Sequence, residues 1–226
     1  MARIFSVLAG LSVILLATNL LLGLMTGDLE LATQEIVEAT DKLSSLRQSD
    51  LSSSTAKNEA TENLEQLRQA FLPQIRRLSL HIWVGITGVL LTLLVNAVAI
   101  TYFIGTARWC REVVETYDLD PSLAASSMQH KRRVFLLAFS AMLVILGIVI
   151  FGALADPVRS MGKDLSGVAR WRVVHFFLTI AGTVWIVICY TIQIKRIAAN
   201  SRIIQTVMGH VKAIGEQDRE QDRGEV

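Results

Sequence analysis

Charged residues are absent from four long stretches of this 226-residue chain. The stretches run from Ile4 to Gly27, from Leu78 to Ala107, from Val134 to Ala155 and from Val173 to Ile194. A helix needs about 20 apolar residues to cross a hydrocarbon core about 30 Å thick, and each stretch is longer than that. A helix in a soluble core would show a charged residue every turn or so. We therefore predict an all-α, polytopic membrane protein with a bundle of four transmembrane helices.

Cysteine and proline are also scarce, with two and three residues respectively. Cys110 and Cys189 lie far apart and form no CxxC pair, which excludes a disulfide framework and a zinc motif. The chain has no P-loop, HExxH or GxSxG motif, so we expect no enzymatic activity. A basic face with interleaved aromatic residues is missing as well, which argues against nucleic-acid binding.

The first apolar stretch follows a short basic start at Arg3. Its apolar run is longer than the roughly 7 to 15 residues of a signal-peptide core, and no small-x-small cleavage site follows it. We interpret residues 1–27 as a retained signal anchor that forms the first transmembrane helix.

Residues 28–77 are mostly polar but carry apolar side chains at helical spacing. These are Ile36, Leu43 and Leu46 in one half, and Leu64, Leu67, Phe71, Ile75 and Leu78 in the other. The Ser-rich segment 49–55 between them favours a turn, so we predict an extramembrane helical hairpin. Its seams are typical of coiled coils, and covering them with a second copy would give a homodimer. Alternatively the two arms cover each other. Pro73 predicts a kink or a fresh helix start.

The remaining boundaries follow from charge and from helix-stop residues. Asp120 and Pro121 have the types expected at an N-cap and at the first helical position. The predicted order is the transmembrane helix 78–107, a cytoplasmic helical connection 108–133, the transmembrane helix 134–155, an outer loop 156–172, the transmembrane helix 173–194, a cytoplasmic amphipathic helix 195–215 and a disordered charged tail 216–226. Lys and Arg close to the apolar stretches are more numerous on the side that would hold both termini, so we place the termini in the cytoplasm.

Two histidines are predicted at matching depth in the membrane. His81 follows Arg77 by four residues and His175 follows Arg172 by three, and the helices that carry them run in the same direction. Two neutral imidazoles on facing helices are a common way to hold a six-coordinate haem iron. The alternative is ordinary interfacial packing, because histidine is amphipathic and aromatic residues mark the same depth.

Other small and polar residues lie in the same two helices. Gly85, Gly88 and Gly182 would leave room for a porphyrin beside the histidines. The same glycines are also common in membrane helices as close-packing positions. Asn96 lies near the middle of the second stretch, and we interpret its amide as a helix-packing hydrogen-bonding group.

The favoured function is a non-catalytic membrane scaffold, accessory or signal-relaying subunit of a larger assembly. Its partners would be the lipid bilayer and either a second copy or other membrane subunits, and no cofactor is expected. The alternative is a b-type haem electron-transfer subunit with His81 and His175 as axial ligands. A pore or transporter comes third, because the apolar stretches lack the charges that ion-coupled transport usually needs.

Overall fold

The computed structural model of the protein describes residues 2–26, 29–49, 53–156 and 165–224, and within these ranges it contains helices and no strand. The five helices are α1 (Ala2–Leu24), α2 (Leu29–Gln48), α3 (Ser54–Thr116), α4 (Pro121–Leu154) and α5 (Leu165–Gly224). All except α2 are long and apolar enough to cross a membrane. The predicted all-α class and the four apolar helices are therefore confirmed.

Helix α3 passes through Pro73 without ending, so the predicted fresh helix start is wrong. Proline lacks the N–H that would bond to the carbonyl four residues earlier. That carbonyl belongs to Gln69, which is exposed, so water can satisfy it. The long helical segments on both sides of Pro73 keep the chain in one helix.

The corner between α3 and α4 agrees with the sequence prediction. Helix α4 begins at Pro121, and the backbone N–H of Ser122 donates to Asp120 Oδ1 at 2.8 Å. Asp118 turns the chain with a φ of 48°. Aspartate tolerates this left-handed conformation better than most residues.

The charged tail 216–226 was predicted to be disordered. This is wrong for residues 216–224, because α5 continues as a helix to Gly224. Extending an existing helix adds one hydrogen bond per residue and avoids the free-energy cost of nucleating a new helix. The Lys212–Glu216 pair at 3.8 Å adds a contact one turn apart. Residues 165–172 of the predicted outer loop are also helical, whereas 157–164 of that loop and 50–52 of the predicted hairpin turn lie outside the described residues.

The chain divides into two compact units. The first unit comprises Met1–Val13, Leu90–Ile145 and Val184–Val226, and the second comprises Ile14–Val89 and Leu146–Thr183. In the first unit, Cys110, Val114 and Val207 form an apolar core cluster. In the second, the buried residues Leu43, Leu64 and Phe71 occupy three positions of the predicted hairpin seams.

Candidate functional site

Buried polar side chains join three helices of the first unit. The Ser12 hydroxyl of α1 lies 2.8 Å from that of Thr92 on α3 and 3.2 Å from that of Tyr190 on α5. All three residues are buried among apolar neighbours. A hydroxyl in such surroundings needs a partner, because leaving it unbonded costs free energy.

A pair of amides lies on the same faces of α3 and α5. Gln193 Nε2 donates to Asn96 Oδ1 at 3.1 Å, and Asn96 Nδ2 donates to the carbonyl of Thr92 at 2.8 Å. Both amide side chains are fully buried. Gln193 Oε1 accepts no hydrogen bond from the described residues.

A third polar group centres on Asn200 of α5. Its Oδ1 accepts from Ser127 of α4 at 2.8 Å, while its Nδ2 donates to Thr106 at 3.0 Å and to Tyr102 at 3.4 Å, both on α3. We call these three groups the polar ladder. Directional bonds between helices in an apolar interior fix their register, whereas apolar contacts alone tolerate sliding.

The polar ladder was mostly missed by sequence reasoning, which singled out only Asn96. The missed members are Ser12, Thr92, Tyr102, Thr106, Ser127, Tyr190, Gln193 and Asn200. The spacing of several of these residues indicates that they share the apolar face of their helix. Thr92, Asn96 and Thr106 lie on the apolar seam of α3, and Gln193 and Asn200 are one heptad apart on that of α5.

His81 docks on α1 within the second unit. Its Nδ1 lies 3.0 Å from the carbonyl oxygen of Asn19. Gly23 follows Asn19 by one helical turn, and a Cβ at Gly23 would lie 3.1 Å from His81 Cε1. The absence of a side chain at Gly23 therefore lets the imidazole lie against the backbone of α1.

His175 docks on α4 in a similar way. Its ring lies beside the backbone of Ile148. A Cβ at Gly152, one turn after Ile148, would lie 2.9 Å from His175 Cε1. The buried Nδ1 of His175 forms no hydrogen bond of ordinary geometry with the described residues.

Gly85 and Gly88, two of the glycines that the sequence predicts beside the histidines, pack against side chains of α1. A Cβ at Gly85 would lie 3.2 Å from Asn19 Nδ2, and one at Gly88 would lie 3.4 Å from Leu16 Cδ2. These two glycines therefore let α1 approach α3 closely. Gly182 is buried on α5. The glycines that contact the imidazoles are Gly23 and Gly152, which lie on other helices and were not singled out from the sequence.

A separate histidine lies in the first unit, on the predicted cytoplasmic connection. Arg196 Nη1 lies 3.3 Å from His130 Nδ1. Burial, together with the positive charges of Arg196 and Arg133, lowers the pKa of His130 below its ordinary value. Neutral His130 can accept the arginine hydrogen bond at Nδ1, whereas the protonated ring cannot.

No known protein family, no curated protein and no solved structure matches the chain. The fold and these sites define only a class: an all-helical chain with four helices of membrane-crossing length whose interior joins amides, hydroxyls and imidazoles. In the described part of the chain, no three His, Cys, Asp or Glu side chains are grouped so that they could hold a metal ion.

Proposed function

We propose that the protein is a non-catalytic membrane subunit that holds partner proteins and relays movement between the two sides of a bilayer. The observation that carries this proposal is the continuity of α3 and α5, which are single helices of 63 and 60 residues. At about 1.5 Å per residue each helix is about 90 Å long, some three times the thickness of a hydrocarbon core. Each helix therefore joins a membrane span to a long aqueous arm.

The polar ladder supports the relay. It bonds α3 to α5 through Asn96 and Gln193, and again through Thr106 and Asn200. Since these bonds resist sliding, displacement of one helix moves the other. The proposed layout has the α2–α3 hairpin outside and both termini in the cytoplasm, following the distribution of Lys and Arg.

Both arms offer apolar side chains to a partner. In the proposed outer hairpin, Leu31 of α2 is 60% exposed and Leu72 of α3 is 48% exposed, and on the cytoplasmic extension of α5 Met208 is 58% exposed. These positions lie outside the four uncharged stretches. The partner is a second copy of the chain or another membrane subunit.

Photo-crosslinking in native membranes tests the proposal. A benzophenone amino acid at Leu31 or Met208 should capture a discrete protein, either a second copy or another subunit. The matched control is Leu90, which is 62% exposed within an apolar span and should contact lipid. If neither arm position captures more protein than Leu90 does, the scaffold function is wrong.

A further inference from the structure

Six basic side chains lie directly outside the uncharged stretches of α4 and α5. The uncharged stretch of α4 begins at Val134, and that of α5 ends at Ile194. The residues that adjoin these two limits are His130, Lys131, Arg132 and Arg133 on α4, and Lys195 and Arg196 on α5. We call these six residues the basic cluster. Positions that adjoin the end of a transmembrane span lie at the depth of the lipid headgroups.

Hydrogen bonds between α4 and α5 bring the two halves of the basic cluster together. Arg196 Nη1 donates to His130 Nδ1 at 3.3 Å, and one turn farther along α5 the Ser127 hydroxyl donates to Asn200 at 2.8 Å. Arg133 follows His130 by three residues and therefore lies on the same face of α4. The basic cluster is thus one surface that two helices build together.

The basic cluster has no acidic partner among the residues that the structure describes. The arginines at the corresponding end of α3 do have such partners, because Arg108 pairs with Glu112 at 2.8 Å and Arg111 lies 4.0 Å from Glu115. Positive charges that are held close together repel each other unless an anion offsets them. The unpaired charge of the basic cluster therefore favours an anionic ligand.

The basic cluster also belongs to only one of two equivalent helix pairs. Helices α1 and α3 bury the same pattern of positions as α4 and α5, at offsets of 129 and 94 residues. Examples are Phe5 and Val134, Ala9 and Ala138, Val95 and Cys189, and Phe103 and Ile197. The positions of α1 and α3 that correspond to the basic cluster hold Met1, Ala2, Arg3, Ile4, Thr101 and Tyr102. Positive charge is therefore concentrated at one pair of spans instead of being shared by both.

We propose that the basic cluster binds the phosphate of an anionic phospholipid. A guanidinium has five N–H donors, and Arg196 uses one of them on His130. The other four have no acceptor among the described residues and can bind phosphate oxygens in a bidentate manner. Groups of basic residues immediately outside a transmembrane helix are typical sites for anionic headgroups. This inference does not depend on the relay function, since it requires only that α4 and α5 cross a bilayer.

Apolar side chains next to the basic cluster favour a lipid over a free phosphate ion. Arg132, Phe135 and Phe139 lie at intervals of three and four residues and therefore share one face of α4. Both phenylalanines are exposed, and their rings stack with centroids 6.5 Å apart. A phospholipid whose headgroup binds the basic cluster can place its acyl chains against this face. A free phosphate ion would gain nothing from it.

His130 provides a signature of the bound anion. Burial and the positive charges of Arg196 and Arg133 lower the pKa of His130 in the protein alone. A phosphate beside these groups would offset their charge and favour the protonated imidazole, which raises that pKa. Neutral lipids would leave it where it is.

Titration of the full-length protein in neutral detergent tests the inference, with native mass spectrometry to count bound lipids. Phosphatidylglycerol should bind more tightly than phosphatidylcholine. Each basic residue near the surface contributes about fivefold in affinity for anionic lipid, so Arg133→Gln combined with Arg196→Gln should weaken phosphatidylglycerol binding about 25-fold. The matched control is Arg108→Gln combined with Arg111→Gln, which removes the same charge from α3 and should leave the affinity nearly unchanged.

Three outcomes of the titration would overturn the inference. The first is equal affinity for the two lipids. The second is an equal loss in both double variants, because overall charge would then explain the binding. The third is equally tight binding of glycerol phosphate, which has the headgroup chemistry without acyl chains.

A measurement on the unmodified protein covers the case in which a glutamine variant does not fold. The imidazole C2 proton resonance of His130 is followed against pH by nuclear magnetic resonance. Phosphatidylglycerol should raise the titration midpoint, whereas phosphatidylcholine should not. A midpoint that does not move when phosphatidylglycerol is added would show that no phosphate lies beside His130.

Discussion

Gln193 on α5 donates a hydrogen bond to Asn96 on α3 at 3.1 Å, and both residues are 0% exposed. An amide that loses such a partner in an apolar interior cannot turn to water instead. The pair therefore specifies one register between two helices that are otherwise joined mainly by apolar side chains.

Replacing Asn96 with leucine should lower the free energy of unfolding by about 1 to 3 kcal/mol, because Gln193 loses its acceptor. Adding Gln193→Leu should recover part of that loss, with a coupling energy of about 0.6 to 1.7 kcal/mol. Unfolding by SDS in mixed micelles measures both. Thr87→Val is the control, since the Thr87 hydroxyl is exposed and bonds only within its own helix. Purely additive effects would show that the two amides do not act as a pair.

Gly152→Ala should lower the melting temperature, whereas Gly147→Ala should raise it or leave it unchanged. Alanine favours a helix over glycine by up to about 1 kcal/mol. A Cβ at Gly147 meets nothing within 4 Å, whereas one at Gly152 would lie 2.9 Å from the His175 ring. Thermal unfolding in detergent should show Gly147→Ala unchanged or stabilised and Gly152→Ala destabilised. Equal melting temperatures would contradict the described ring contact.

Cysteine labelling in intact cells tests the proposed layout with little background, because Cys110 and Cys189 are buried. Burial also raises the pKa of the Cys110 thiol, which further slows its reaction. Ser45→Cys on α2 should react with an impermeant maleimide, and Gln217→Cys on α5 should react only after the cells are opened. Both wild-type positions are exposed. Reaction of both variants before the cells are opened would disprove the layout.

Stability should fall as the pH drops below about 6.5, the ordinary pKa of histidine. The pKa of His130 is lowered in the folded protein, so the unfolded chain binds the proton first and the stabilising contribution is lost on acidification. Melting temperatures between about pH 5 and pH 8 measure the effect. His130→Gln should flatten the profile. A profile unaffected by His130→Gln would rule out this cause.

The helices and their apolar spans could be predicted because a long uncharged run leaves few alternatives to a membrane helix. The polar ladder could not, because Gln193 or Ser12 taken singly looks like an incidental polar residue in an apolar run. The contact of Gly23 with His81 joins helices far apart in sequence, so spacing along one helix does not reveal it. Local propensity does not predict the helix at Pro73 or in the charged tail, because the continuity of a long helix outweighs it there.

Helices α1 and α3 bury the same pattern of positions as α4 and α5, at offsets of 129 and 94 residues. Each pair enters and leaves the membrane on the same side in the proposed layout, so both pairs have the same orientation, as in parallel repeats. Joining two copies of a two-span ancestor end to end, at a corner such as the one near Asp118, would give this order of helices directly. The two pairs differ in their extensions, because α3 continues into the proposed outer hairpin and α5 into the proposed inner extension. A symmetric ancestral dimer would thus have become a single chain with two different ends.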